Sequence, residues 1–309
     1  MFLLYTLEEL RVLSGLDNSP FSISRMSLFA PNFPELILAA CFNIKLTYTS
    51  PFLVLSHLLK TAKIFDKVEK IIEGKMFKVD PKLMKYFKNH EYGPEIIMVS
   101  LYMKGRYSLS YREIEEIGGL RGLNIDHATL QRWVIKFMPI LEGRFRKRKK
   151  PVNGSWRMDE TYIKVKGKWV YLYRAVDKYG DTIDFMLRAK RDKRAAKAFF
   201  KKAIKSSGQP IKVNIDKSGS NTSALNSVNK PLSEEDQIEI RQSKYLNNRI
   251  EGDHRFIKKR TRPMLGFKSF RSAAKTIAGI ELLHMIKKGQ LNDNDNYNSD
   301  FDKFLSLAA

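Results

Sequence analysis

The sequence predicts an α/β fold with a layered mixed sheet and flanking helices, preceded by an all-α segment. Three patterns carry that expectation. Residues 155–290 read as strand, strand, strand, helix, strand, helix, strand, helix, and a three-stranded antiparallel start followed by alternating helix and strand gives a layered sheet. Residues 94–150 read as three helices with no strand among them. Charge follows a similar boundary: residues 1–59 carry a net charge of −1, residues 60–150 carry +10 and the remainder +14.

The total charge is +23, from 56 Lys and Arg against 33 Asp and Glu. Such an excess points to a polyanionic partner, either nucleic acid or an anionic membrane surface. The most apolar region, residues 36–59, is broken by Asn43, Lys45 and Pro51, so no run of about 18 apolar residues is available to span a bilayer. Residues 1–4 lack a basic n-region and meet Glu8 and Glu9 early, which argues against a secretion signal. A single cysteine, Cys41, excludes an intramolecular disulfide framework and a cysteine-based zinc site. A cytoplasmic location is expected.

Residues 1–75 are the least informative. Thr6 and Glu9 fit a capping box, residues 52–72 have helical periodicity, and His57 is read as an ordinary surface or core histidine. After Pro94 comes a helix carrying Ile96, Ile97, Val99, Leu101 and Met103. Ser110 and Glu113 form a capping box for the next helix, which stops at Gly118 and Gly119. Asp126 opens a third, with Leu130, Trp133, Val134, Phe137 and Leu141 in one apolar stripe. This is the helix-turn-helix arrangement, in which the start of the last helix enters the major groove. His127, Thr129, Gln131 and Arg132 are then the candidates for base contacts; a three-helix bundle with Trp133 as core is the alternative. The basic run at residues 144–150 and the turn at 151–154 are expected to link the domains along the duplex path.

Residues 156–165, 169–176 and 182–187 read as three strands, and Trp169, Tyr171 and Tyr173 as core or sheet face. Residues 193–206 read as an amphipathic helix, residues 211–217 and 237–241 as short strands, and residues 272–288 as a last helix. Residues 292–300 are expected to be a polar, disordered tail, making four segments: 1–75, 76–150, 151–290 and 291–309.

Three carboxylates stand out. Asp159 sits within a strand, Asp216 at a strand end, and Glu251 on a helix where Asn248, Arg255, Lys258 and Arg262 share roughly one face. Alone, that helix reads more readily as a solvated, salt-bridged surface. Brought together, the three carboxylates need a divalent cation to offset their repulsion, and oxygen-only ligands favour magnesium or manganese.

The blocks WRMDETYIKVKGKW (residues 156–169), YLYRAVD (171–177), NIDK (214–217), YLNNRIEGDHRFIKKR (245–260) and GFKSF (266–270) resemble the insertion-sequence-six family of bacterial transposases. The likeness runs from about residue 79 to 290, with Gly252 where the family more often has Gln. The resemblance implies a ribonuclease H-like catalytic domain with an Asp-Asp-Glu triad of Asp159, Asp216 and Glu251 holding two Mg2+ or Mn2+ ions. Lys258 matches the basic residue two turns beyond the glutamate and, with Arg255, would hold phosphate. It also implies cleavage and strand transfer at terminal inverted repeats by at least a dimer on DNA. A catalytically silent DNA-binding regulator derived from such an enzyme, and a nuclease on the same fold, remain alternatives. The resemblance begins only near residue 79, so residues 1–75 are expected to be dispensable for chemistry, with Met76 an internal start.

Overall fold

The computed structural model describes residues 78–217, 219–292, 297 and 299–309, all within one compact unit, Lys70–Ala309. The expectations for residues 1–75, including the capping box at Thr6 and the reading of His57, lie outside the described residues.

Four helices come first: α1 (Pro81–Phe87), α2 (Pro94–Arg106), α3 (Tyr111–Gly119) and α4 (His127–Lys147). Their starts are set locally. Pro94 supplies the fixed φ that suits a first turn. Ser110 and Glu113 make both halves of a capping box, and the Asp126 carboxylate accepts from the N–H groups of Ala128 and Thr129. The apolar stripe of α4 is buried as its periodicity requires.

The sheet has the order β3-β2-β1-β4-β5. Strands β1 (Ser155–Val165), β2 (Lys168–Asp177) and β3 (Thr182–Arg188) are antiparallel, whereas β4 (Lys212–Asn214) and β5 (Glu239–Arg241) run parallel to β1. Helices α5 (Lys193–Ser207) and α6 (Gly219–Asn229) cover one face. Their Phe199, Phe200, Ala224 and Leu225 bury Trp156, Met158, Tyr173 and Val213. On the other face lie α7 (Lys244–Thr261) and α8 (Phe270–Lys287). This is the mixed sheet with flanking helices expected for a ribonuclease H-like domain.

The second core runs without a break from α1–α4 to α8 and the outer face of the sheet, joining Trp133, Phe137 and Met138 to Ile280, Leu283, Ile163 and Leu172. Close approach makes this continuity physical: a Cβ at Gly279 would lie 2.7 Å from the Met138 side chain, and one at Gly105 would lie 2.4 Å from Leu283. The helical segment and the sheet domain are therefore fused rather than tethered.

Two expectations are corrected. The basic run is not a free cationic hinge. Residues 144–147 complete α4, Lys149 bridges antiparallel to Leu291, and four of the six cations are engaged within the chain. Arg144 pairs with Asp80 (2.7 Å), Arg146 with Glu142 and Asp184, Arg148 with the Ser306 carbonyl, and the Lys149 ammonium with the Ile183 carbonyl. The polar tail expected over 291–309 is corrected as well, because residues 299–309 pack into the core; the disorder expected for 292–300 falls mostly on residues outside the described ones. Ser299 caps α9 (Asp300–Leu305), and Phe301, Phe304, Leu305, Leu307 and Ala308 are buried, with Phe301 and Phe304 against Tyr102.

Candidate active site

Strand β1 is central, flanked by β2 and β4. Its register pairs Arg157 with Asn214, so Asp216, two residues past the end of β4, arrives beside Asp159. The carboxyl ends of parallel strands are where open α/β sheets place their sites. Carboxylate oxygens of Asp159, Glu160 and Asp216 lie within 4.8 Å of one another. Glu160 is the member that the sequence reading missed, because alternation sends neighbouring strand residues to opposite faces. Asp216, beyond its strand, is reached from both.

Glu251 stands outside that tight group, on the exposed side of α7. Its charge nevertheless reaches Asp159. Burial above all, with the charges of Glu160, Asp216 and Glu251 adding to it, pushes the Asp159 carboxyl up to about 7. Burial also raises Glu160, opposed by Arg191. Arg191, in the loop before α5, bridges Asp216 at 2.6 Å and Glu160 at 3.2 Å, and the Asn221 amide donates to Asp216.

Two buried polar clusters fix α7 on either side of Glu251. On the amino-terminal side, Asn214 donates to the Ser243 carbonyl and to Asn247 and accepts from the Ser243 N–H. The strand that leads to Asp216 is thus tied to the helix that carries Glu251. On the carboxyl-terminal side, Arg174 is fully buried and lies across β1–β2 from Asp159. It makes a bidentate pair with Glu281 (2.7 and 3.1 Å) and a second bond to Asp253 at 2.7 Å. Asp253 also meets Lys288 at 2.7 Å and His284 at 3.0 Å; these partners hold its carboxyl well below the usual range despite burial. Neither cluster had a signal in the sequence, since each partner is 29 to 107 residues away.

Between them, His254 Nδ1 lies 3.7 Å from Asp159. Burial, with Arg174 and Lys258 adding to it, pushes this ring down to about 3, so it is neutral. Arg255 and Lys258 are exposed on α7, with Asn248 and Glu251, as the helical spacing requires. On α4, His127 is held by Glu115 at 3.0 Å and Asp126 at 3.1 Å, and Arg132 donates to Thr129. Gln131 is half-buried and Arg132 exposed. Trp133 is core and donates to His90.

Residues 153–290 match the DDE domain family. The chain is 43% identical over 206 residues to the transposase for insertion sequence-like element IS431mec of Staphylococcus aureus, a match covering 66% of this chain and 90% of that protein. The transposase of insertion sequence element IS257 in transposon Tn4003, from the same species, matches over the same extent at 43% identity. Among solved structures, the HTLV-2 integrase catalytic core domain in complex with magnesium aligns over 52% of this chain and all of its own, with a TM-score of 0.32 at 17% identity. The BIV integrase catalytic core domain aligns over 50% of this chain and 95% of its own, with a TM-score of 0.33 at 13% identity.

Proposed function

The chain belongs to the insertion-sequence-six family of DDE transposases, enzymes that cleave DNA and transfer strands, and on that premise we propose that Asp159, Asp216 and Glu251 are its catalytic triad, acting at terminal inverted repeats. The observation that carries this reading is the convergence of carboxylates from β1 and from the end of β4 under a helix whose Glu251 charge reaches them. The donor set fits a metal: its atoms are hard oxygens, and the burial and neighbouring negative charge that raise Asp159 are what a cation would offset. Asp159, Asp216 and Glu251 would hold two Mg2+ or Mn2+ ions. When bound, such ions activate the attacking hydroxyl and stabilise the leaving oxygen of an in-line displacement.

The chain's own groups do the rest. Arg255 and Lys258 hold the phosphates flanking the scissile bond, and Asn248 orients one of them. His254, neutral and 3.7 Å from Asp159, fills the space beside that carboxylate without adding charge. His127, Thr129, Gln131 and Arg132 at the start of α4 read base edges, with Arg132 the most open of the four. The enzyme acts as a dimer or larger assembly on DNA, in the bacterial cytoplasm, associated with the nucleoid; no described helix is long and apolar enough to cross a membrane.

Joining of a donor end to supercoiled plasmid in magnesium tests the assignment. Asp159→Asn, Asp216→Asn and Glu251→Gln should each abolish cleavage and joining while leaving end binding intact. Wild-type joining by any one of them removes that residue from the triad. Binding without either chemical step in the parent chain would instead favour a silent regulator.

A further inference from the structure

Strands β1 and β2 continue as a hairpin beyond the carboxylates, and the two faces of that hairpin differ. One face is closed: Ile163, Val165, Val170 and Leu172 are buried, with Phe256, Met264 and Phe267 packed against them. Phe267 donates its N–H to the Lys164 carbonyl and accepts from the Lys166 N–H, both at 2.8 Å. That approach needs glycine at 266, where φ is +106° and a Cβ would lie 3.0 Å from the Lys164 oxygen. The hairpin is thus clamped from one side.

The opposite face is open and aromatic. Tyr173 and Glu160 face each other across the strands, as do Tyr171 and Tyr162, then Trp169 and Lys164. Tyr173 is covered by Phe199 of α5, and Tyr171 is half-buried against the same core, but beyond it the cover ends. Tyr162 is 53% and Trp169 62% exposed, and the Tyr162 ring lies 5.4 Å from Tyr171 and 6.4 Å from Trp169. On this face Lys164 lies opposite Trp169 and Arg188 opposite Tyr171, Lys166 follows in the turn, and residues 161–176 contain no carboxylate.

We propose that this face is a stacking platform for unpaired bases of the DNA strand at the active site. Exposed rings beside cations suit single-stranded nucleic acid, where bases stack on aromatic faces and the backbone meets positive charge. The charge also argues against a second copy of this chain, because two such patches would bring like charges together. The platform adjoins the carboxylates on their Glu160 side, across the sheet from Asp159. Glu160, which shares Arg191 with Asp216, lies on the same strand face as Tyr162, two residues or roughly 7 Å away. This proposal deepens the transposase reading and rests on it.

The chain has three tryptophans, and Trp133 and Trp156 are buried at 2% and 1% exposure, so quenching of tryptophan fluorescence by DNA reports on Trp169. The full chain is titrated with single-stranded oligothymidylate and with a blunt duplex, and joining is assayed in parallel. We expect quenching by the single strand, lost in Trp169→Phe although that variant still binds. Trp169→Ala and Tyr162→Ala should weaken single-strand binding about 5- to 150-fold each and leave duplex binding unchanged. Single-strand binding by both alanine variants as tight as wild type, or binding without quenching, would overturn the platform and leave the transposase reading standing. Conversion of an oligomer to monomer by Trp169→Ala would also overturn it, in favour of a protein interface. A wild-type chain that neither binds DNA nor joins it would sink both.

Discussion

Replacing Asp159 by Asn should make the metal-free protein more stable, in a way that depends on pH. The folded-state carboxyl is raised from 3.8 to about 7, whereas in the unfolded chain it titrates near its ordinary value. Between those two values the folded state holds a proton that the unfolded state has lost, so stability falls as pH rises through the window. The penalty is absent below about pH 4 and complete above about pH 7. At about 1.4 kcal/mol per pH unit it amounts to roughly 4 kcal/mol. Asparagine keeps the shape and does not titrate. Urea unfolding in chelator should therefore find Asp159→Asn as stable as wild type near pH 4 and about 4 kcal/mol more stable at pH 8. His254 and His284, pushed down to about 3 and about 4, contribute the opposite slope: their share is lost as pH falls from 6.5. They are common to both proteins and largely cancel in the difference. Excess magnesium at pH 8 should stabilise wild type and not the variant. A difference between the two proteins that does not change from pH 4 to pH 8 would refute the argument that the Asp159 carboxylate is held here against the cost of its burial and the charges beside it.

Other expectations concern the scaffold. Gly252 is an exposed helical residue with nothing within 4 Å of an added Cβ, so Gly252→Ala should raise stability by about 1 kcal/mol and leave strand joining unchanged, read by denaturant midpoint and plasmid assay. Arg174→Met strands the fully buried Glu281 and should cost about 3–5 kcal/mol; adding Glu281→Leu should recover most of it in a double-mutant cycle. Phe304→Ala, in the buried last helix, should cost about 3–5 kcal/mol, whereas a disordered tail would register no change.

Much of the fold was legible because local rules decided it. The capping box at Ser110, the aspartate cap at Asp126 and the alternation of β1 each fix an element from a few adjacent residues, and the structure has all three. The elements that carry Asp159, Asp216 and Glu251 were legible as strand, strand end and helix, and the structure brings the first two together. What stayed hidden depends on partners far along the chain. Nothing near Arg146 in the sequence says that Asp184 will take up its charge, so a run of cations read as a DNA-facing linker. Phe301, Phe304 and Leu305 do have helical spacing, but six residues after a polar stretch are too few to outweigh its composition. Trp169 was read as core or sheet face because alternation gives a face, not its cover; α5 reaches Tyr173 and stops short of the hairpin tip.

The unbroken core that joins α1–α4 to α8, closed by α9, also limits how relatives can exchange parts. A crossover near residue 150 looks safe on paper, yet it would pair Met138 from one parent with Gly279 from another, and Tyr102 with a foreign Phe301. Each mismatch loses a fit measured in tenths of an ångström. Shuffled libraries of such enzymes should therefore yield soluble hybrids mainly when residues 78–150 and 270–309 come from the same parent, so that the two sequence ends of this unit are inherited together while the sheet between them drifts.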